Sequence, residues 1–250
     1  RKLRERGDMV VVPTHAEYNL LFFDEVQAGI ASDLDAVIHL AARVGGIGAN
    51  AAQPATFFTD NLMMGANIIW ACNLHKVPKL LMVGTVCSYP KHCPVPFDER
   101  DLWNSYPEET NAPYGIAKKA LLVMGQSYRK QYGLNSIFIL PANLYGPGDH
   151  YEPDRSHVIP ALVKKFVDAE RAKAQSVTVW GTGKATREFL HVEDAADGLL
   201  VALDKYNDAE PCNLGSGREI SIAALAAIIA DLCGYKGKIE FDDSKPDGQP

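Results

Sequence analysis

Lys79-Leu80-Leu81-Met82-Val83-Gly84 is a short apolar run closing on glycine, and Asn135-Ser136-Ile137-Phe138-Ile139-Leu140 is a second run of the same kind. Between them, Asn111-Ala112-Pro113-Tyr114-Gly115-Ile116-Ala117-Lys118 opens a helical stretch that reads on to about Tyr132. Strand, helix, strand in that order is a parallel βαβ unit. The pattern extends outward on both sides. Residues 1–7 read as the end of a helix stopped at Gly7. Met9–Val12 reads as a short buried strand, Asp24–Ala31 as a short helix, Ala36–Leu40 as a strand and 55–75 as a long helix. The expectation is an α/β fold with a Rossmann-type doubly wound parallel sheet.

After Pro147 the texture changes. Pro, His and charged residues become common and the apolar runs shorten to Val177–Trp180 and Glu188–Val192, with helices expected near 157–170, 194–204 and 220–233. Residues 1–150 are therefore expected to form a dinucleotide-binding domain. Residues 151–250 are expected to form a smaller substrate-binding region on the sheet's C-terminal side.

Bulk composition narrows the function. A net charge of −6 argues against a general nucleic-acid surface. No apolar run approaches the ~20 residues of a membrane span, and the charged start Arg1–Arg6 is no secretory signal. Five cysteines without zinc-like spacing suggest no metal site and free thiols in a reducing cytoplasm. Cys72, Cys93, Cys212 and Cys233 read as structural.

Chemistry concentrates at Tyr114 and Lys118. Four residues apart on a helix, their side chains share one face. A cation beside a phenol favours the phenolate, so the expectation is a lowered tyrosine pKa and a usable general acid or base. The spacing alone is common by chance. Open α/β sheets bind ligands beyond the strand C-termini, and loops Ala41–Gly48, Thr85–His92 and Pro141–Gly148 all leave expected strand ends near that helix's start.

With these motifs in order, the chain resembles the extended short-chain dehydrogenase/reductase family. The stretches that carry the resemblance are Leu40-Ala41-Ala42-Arg43-Val44-Gly45-Gly46-Ile47, Val83-Gly84-Thr85-Val86-Cys87-Ser88-Tyr89-Pro90, Pro113-Tyr114-Gly115-Ile116-Ala117-Lys118 and Asn143-Leu144-Tyr145-Gly146-Pro147. Ser156-His157-Val158-Ile159-Pro160-Ala161-Leu162, Trp180-Gly181-Thr182-Gly183, Arg187-Glu188-Phe189-Leu190-His191-Val192 and Ser244-Lys245-Pro246-Asp247-Gly248 follow. Val-Gly-Gly-Ile, the cysteine after the third expected strand, and Ser-His-Val-Ile-Pro point to the branch of epimerase-reductases that act on GDP-4-keto-6-deoxymannose.

The resemblance implies roles residue by residue. Tyr114 would protonate the C4 oxygen while NADPH delivers hydride to C4. Lys118 would hold the nicotinamide ribose, and Thr85, where relatives carry Ser, would bond the same sugar oxygen. Cys87 and His157 would exchange protons at C3 and C5. Taken alone, Cys87 reads as core and His157 as a helix-cap residue; the surrounding motifs turn both toward function. Ala41, Ala42, Val83, Gly84, Val86, Pro141, Ala142, Asn143 and Leu144 would line the cofactor, with His157 close by. Arg187 suits a pyrophosphate, and Lys165 stands where relatives place arginine. Asp247 matches a substrate-side position, while Trp180 divides between that role and core packing. His191 and Asp194 read as packing and helix-start residues. NADP over NAD, a GDP-sugar as partner, and a homodimer through helices 55–75 and 114–132 likewise follow from the family.

The family's first strand and its Gly-x-x-Gly-x-x-Gly turn are not found. Residues 1–7 match the end of the helix after that turn, and relatives continue past Pro250; the expectation is a shortened chain whose activity is in question. Two other readings remain. One is another nucleotide-sugar epimerase or dehydratase, although Val86 and Cys87 after Thr85 are not a dehydratase's acidic pair. The other is a non-catalytic dinucleotide-binding fragment, which commonly lacks the tyrosine or lysine kept here.

Overall fold

In a computed structural model of the chain, residues 1–30, 33–152, 156–245 and 247 are described. The elements are α1 Lys2–Arg6, α2 Phe23–Gly29, β1 Ala36–His39, α3 Ile47–Ala52, α4 Pro54–Leu74, β2 Lys79–Val83, α5 Ala112–Tyr132, β3 Ser136–Pro141 and β4 Asn143–Tyr145. They continue with α6 Val158–Ala172, β5 Ser176–Trp180, β6 Thr186–His191, α7 Val192–Lys205, β7 Pro211–Leu214, β8 Glu219–Ser221, α8 Ile222–Leu232 and β9 Lys238–Asp242. Single 3-10 turns occur at Val86–Ser88 and Glu99–Trp103.

The main sheet runs β1-β2-β3-β7, every pair parallel, with Val37 opposite Leu80, Met82 opposite Phe138 and Ile139 opposite Cys212. Its middle strands β2 and β3 are apolar over most of their length because both faces are covered. Leu80, Met82, Phe138 and Leu140 pack with Ile68, Ile69, Leu121 and Leu122 of α4 and α5. Alternate residues Leu81, Ile137 and Ile139 turn the other way, onto Leu199, Ala202 and Leu203 of α7. Each such buried aliphatic side chain contributes roughly 1.5–3 kcal/mol. Helices α4 and α5 approach closely at Gly65, where a Cβ would stand 2.2 Å from Leu121 Cδ1.

A second core joins α6, α8 and the β5–β9 pair through Leu162, Phe166, Val177, Val179, Leu225 and Ile229. A third sheet, β4-β6-β8, packs Phe189 and Ile220 against the second core. Residues 192–214 return to the main sheet as α7 and β7.

Most expected elements stand within a few residues of their boundaries, and α1 does end on Gly7 in the left-handed conformation, φ 94°. The helix expected to Ala31 stops at Gly29; Ala31, Pro246 and Gly248 lie outside the described residues. One expectation fails. Met9–Val12 is not a strand, and Met9, Val11 and Val12 are 96%, 67% and 69% exposed. β propensity measures fit to a paired, half-buried surface, and among the described residues this run pairs with no neighbour.

Candidate active site

Parallel strands deliver their C-termini to one edge, and the expected cofactor-lining positions other than Lys118 and His157 follow those strand ends. Ala41 and Ala42 follow β1. Val83 ends β2 and leads into Gly84, Thr85 and Val86. Pro141 ends β3, with Ala142, Asn143 and Leu144 continuing into β4. The backbone extends the ladders beyond the strands: Gly84 N donates to Ile139 O at 2.8 Å and Ala142 N to Leu214 O at 2.9 Å. Asn143 donates its side-chain amide to Glu188 O at 2.9 Å.

The loop after β1 is held by two asparagines absent from the sequence reading. Buried Asn61 accepts from Arg43 N and donates to Arg43 O, both at 3.0 Å. Asn50 donates to Gly45 O at 2.9 Å and Gly46 O at 3.1 Å. Their only sequence signal was their position just before and within α4; a side-chain amide inside a helix competes for backbone partners, and Asn61 also donates to Phe57 O one turn back at 2.7 Å.

Thr85 starts the 3-10 turn by accepting the Cys87 amide on its hydroxyl at 3.2 Å. That turn lies directly against the first turn of α5. A Cβ at Gly115 would stand 2.4 Å from Cys87 O, and Ser88 Oγ donates to Gly115 O at 3.0 Å. Thr85, Cys87 and Tyr114 thus meet at one loop–helix junction.

Lys118 is 2% exposed; its ammonium donates to Val83 O at 2.9 Å and lies 5.9 Å from the Tyr114 ring centre. Burial pushes the Lys118 pKa down to about 8.

The expected lowering of the Tyr114 pKa is not what this arrangement produces. Burial pushes the phenol well above its ordinary value, Cys87 adds to the rise, and the Thr85 hydroxyl opposes it. Desolvation of the phenolate outweighs the nearby cation, whose proton is directed to a backbone carbonyl. The Cys87 thiol is likewise raised by burial, against a hydrogen bond from Thr85 and the charge of Arg187. Both groups are therefore biased toward their protonated forms, which suits Tyr114 as a proton donor.

His157 stands at the N-cap of α6, exposed, with no side-chain capping bond. Its neighbour Ser156 touches the loop after β1, since a Cβ at Gly46 would lie 3.2 Å from Ser156 O. Among the described residues His157 is hydrogen-bonded to neither Cys87 nor Tyr114.

The four expected substrate-side residues form one cluster. Trp180 is 61% exposed, which removes core packing as its role. Lys165 and Lys245 each hold an ammonium 5.7 Å from its ring centre. Lys165 also donates to Thr178 O at 2.9 Å. Arg187 donates to Thr186 O at 2.6 Å and Asp247 O at 3.0 Å. The Asp247 carboxylate accepts from Thr182 N at 2.7 Å and Thr182 Oγ1 at 2.8 Å, so the Gly181–Gly183 turn serves a side chain. His191 caps α7 by accepting from Glu193 N, as its reading required, and Asp194 lies in that helix's first turn.

The junction fits the sugar end of a dinucleotide. Buried His39, at the end of β1, has an Nε2 without a partner among the described residues, and burial together with the Lys118 charge pushes its pKa down to about 3. A neutral imidazole nitrogen and a lysine with spare donors suit hydroxyl groups. Among the described residues, no group of three His, Cys, Asp or Glu side chains could hold a metal, and no helix is long and apolar enough to cross a membrane.

Comparison with known proteins agrees with this geometry. The model of the NAD dependent epimerase/dehydratase family matches residues 1–216. A probable GDP-L-fucose synthase 1 from Oryza sativa subsp. japonica is 44% identical over 96% of this chain and 74% of its own length. Among solved structures, a GDP-6-OMe-4-keto-L-xylo-heptose reductase from C. jejuni aligns with TM-score 0.90 and 30% identity, covering 98% of this chain and 82% of that one. A GDP-L-fucose synthetase from Naegleria fowleri bound to NADP aligns with TM-score 0.88 and 28% identity, covering 99% and 78%.

Proposed function

The chain belongs to the NAD dependent epimerase/dehydratase family, and on that premise we propose that it converts GDP-4-keto-6-deoxymannose to GDP-L-fucose by 3,5-epimerisation and 4-reduction. A nicotinamide dinucleotide is its cofactor, and NADP(H) is the form we assign, supported by the NADP-bound relative. The observation that carries the reading is the meeting of half-buried Thr85, Cys87 and Tyr114 at one loop–helix junction beside buried Lys118. Residues 1–150 would supply most of the cofactor side and residues 151–250 the substrate side, with α7 and β7 lent back to the sheet.

A C4 ketone acidifies the carbons on either side of it. Cys87 removes or returns a proton at one face of C3 and C5, and His157 serves the opposite face, as inversion requires. Tyr114 then donates its proton to the C4 oxygen, with Thr85 bonded to the same oxygen. Bound NADPH supplies the hydride. Lys118 orients the nicotinamide ribose, with His39 beside it. Trp180 and Lys165 hold the nucleotide by packing and charge, Arg187 faces the pyrophosphate with its fork of donors, and Asp247 fixes Arg187 and the Thr182 turn.

A second reading, reduction without epimerisation, is favoured by two observations: burial raises the Cys87 thiol, and among the described residues no hydrogen bond joins His157 to it. One experiment separates the two. The protein is incubated with GDP-4-keto-6-deoxymannose and NADPH in deuterated water, and the product is read by NMR. Deuterium at C3 and C5 of GDP-L-fucose is expected. NADPH oxidation without that label selects the plain reductase.

Two further assignments belong here. A homodimer through α4 and α5 is supported by Met63, Trp70, Leu74, Val123 and Tyr132, all more than two-fifths exposed on those helices. A cytoplasmic setting is supported by five free cysteines.

A further inference from the structure

The loop after β9 ties together the two parts of the tryptophan face. It leaves the strand at Asp242, which lies opposite Trp180 in the β5–β9 ladder. Lys245 N donates to Asp242 O at 3.2 Å, and Ser244 N and Oγ donate to Asp242 Oδ1 at 3.1 and 2.6 Å. The loop thus turns back over the end of its own strand. Two residues beyond Lys245, Asp247 O accepts from Arg187 at 3.0 Å, and the Asp247 carboxylate accepts from Thr182 N and Oγ1. Lys245 is therefore carried on a short loop pinned beside Trp180 at one end and on Arg187 at the other.

The three cations of this face differ in what they already hold. Arg187 spends Nη1 on Thr186 O and Nη2 on Asp247 O, at 2.6 and 3.0 Å. Lys165 is half-buried, and its ammonium donates to Thr178 O at 2.9 Å. Lys245 is exposed; among the described residues its ammonium donates no hydrogen bond and enters no ion pair, and it stands 5.7 Å from the Trp180 ring centre. A cation over an exposed ring is held weakly, and a phosphate oxygen offers it the stronger, charge-assisted hydrogen bond. A diphosphate esterified at both ends keeps one negative charge on each phosphate, and Arg187 balances one of them.

We propose that Lys245 is a further nucleotide-binding residue: its ammonium rests on the Trp180 indole and passes to a phosphate oxygen of a nucleoside diphosphate, supplying the positive charge that Arg187 alone does not. The proposal rests on the reading of the Trp180 face as the nucleotide side of the site. Lys165 keeps its place on Thr178 O, so of the two ammonium groups at the ring only the one on the loop changes partner. The pinned ends of that loop limit the movement to the Lys245 side chain, whose long stem supplies the reach.

The test needs neither cofactor nor turnover. GDP and guanosine are titrated calorimetrically into the full chain as wild type, Lys245→Met and Lys245→Arg, at about 0.05 M and about 0.5 M NaCl. Lys245→Met keeps an apolar stem over the ring without the charge, and Lys245→Arg keeps the charge. Lys245→Met is expected to weaken GDP binding about 5–10-fold at low salt, less at high salt, and to leave guanosine unchanged. Lys245→Arg is expected to bind GDP within about twofold of wild type. Wild-type affinity for GDP in Lys245→Met would overturn the proposal and leave Lys245 a cover for the indole. Equal weakening of GDP and guanosine would overturn it too, because the effect would then lie in the ring and not at a phosphate. Wild type that takes up no GDP would reject the nucleotide reading of the whole face, and the proposal with it.

Discussion

The loop–helix junction and the tryptophan face treat their functional side chains in opposite ways. At the junction, Lys118 is enclosed, Tyr114 is half-buried, Thr85 is bonded to backbone, and desolvation displaces the lysine and the tyrosine from their ordinary values. At the face, Trp180 and Lys245 are exposed, Lys165 is half-buried against them, and the loop around them is tied by Asp247. Chemistry occupies the part of the molecule whose geometry the sheet and α5 fix. Recognition occupies a surface that a ligand must complete. Groups in the first region act through fields that water cannot screen; those in the second act through contact area.

The contrast is breakable at four points. The largest effect is expected for Tyr114→Phe, which leaves the ring in place and removes the proton. NADPH oxidation should fall by about 10³-fold while deuterium wash-in at C3 and C5 survives, measured on the same sample. Loss of both would mean that the phenol organises the junction beyond supplying a proton. Cys87→Ser comes next: wash-in should fall by about 10²-fold with reduction of a pre-epimerised ketone retained. Unchanged wash-in would transfer the role away from the junction.

The third test concerns stability. Lys118 titrates at about 8 when folded, against an ordinary value of 10.5. Between those two values the unfolded chain binds more protons, so this group makes stability rise with pH across the window. Urea midpoints of wild type relative to Lys118→Met should diverge upward from about pH 8 to pH 10.4, by on the order of 2 kcal/mol. A flat difference would show that the lysine is solvated in the folded protein. The smallest effect is expected at the face. Trp180→Ala should raise KM for the GDP-sugar about 5–10-fold, roughly 1 kcal/mol of lost stacking and cation–π contact, with kcat unchanged. A change in kcat instead would join the face to the chemical step.

Much of this was legible in the residues. The apolar runs of β2 and β3 read as strands because both of their faces are covered. The Tyr114 helix read as a helix because Pro113 and Gly133 bracket it. Tyr114 and Lys118 stood out as a pair on one helix face, whereas Thr85 and Cys87, in the loop after β2, took on roles only through the family resemblance. Less legible were β7, β8 and β9, whose three- to five-residue pairings depend on partners distant in the chain. Met9–Val12 shows the converse, a strand-like run without a partner among the described residues.

By itself, the sequence determined which residues alternate, where helices start and stop, and which side chains can donate or accept protons, because those are properties of local covalent structure and of period. Tertiary structure alone decided the sign of the titration shifts at Tyr114 and Cys87, the exposure of Trp180, and the convergence of Lys165 and Lys245 on its ring. Each of those depends on how much water is removed and on which distant groups replace it, and desolvation is set by the whole packed surroundings of an atom rather than by its neighbours in the chain.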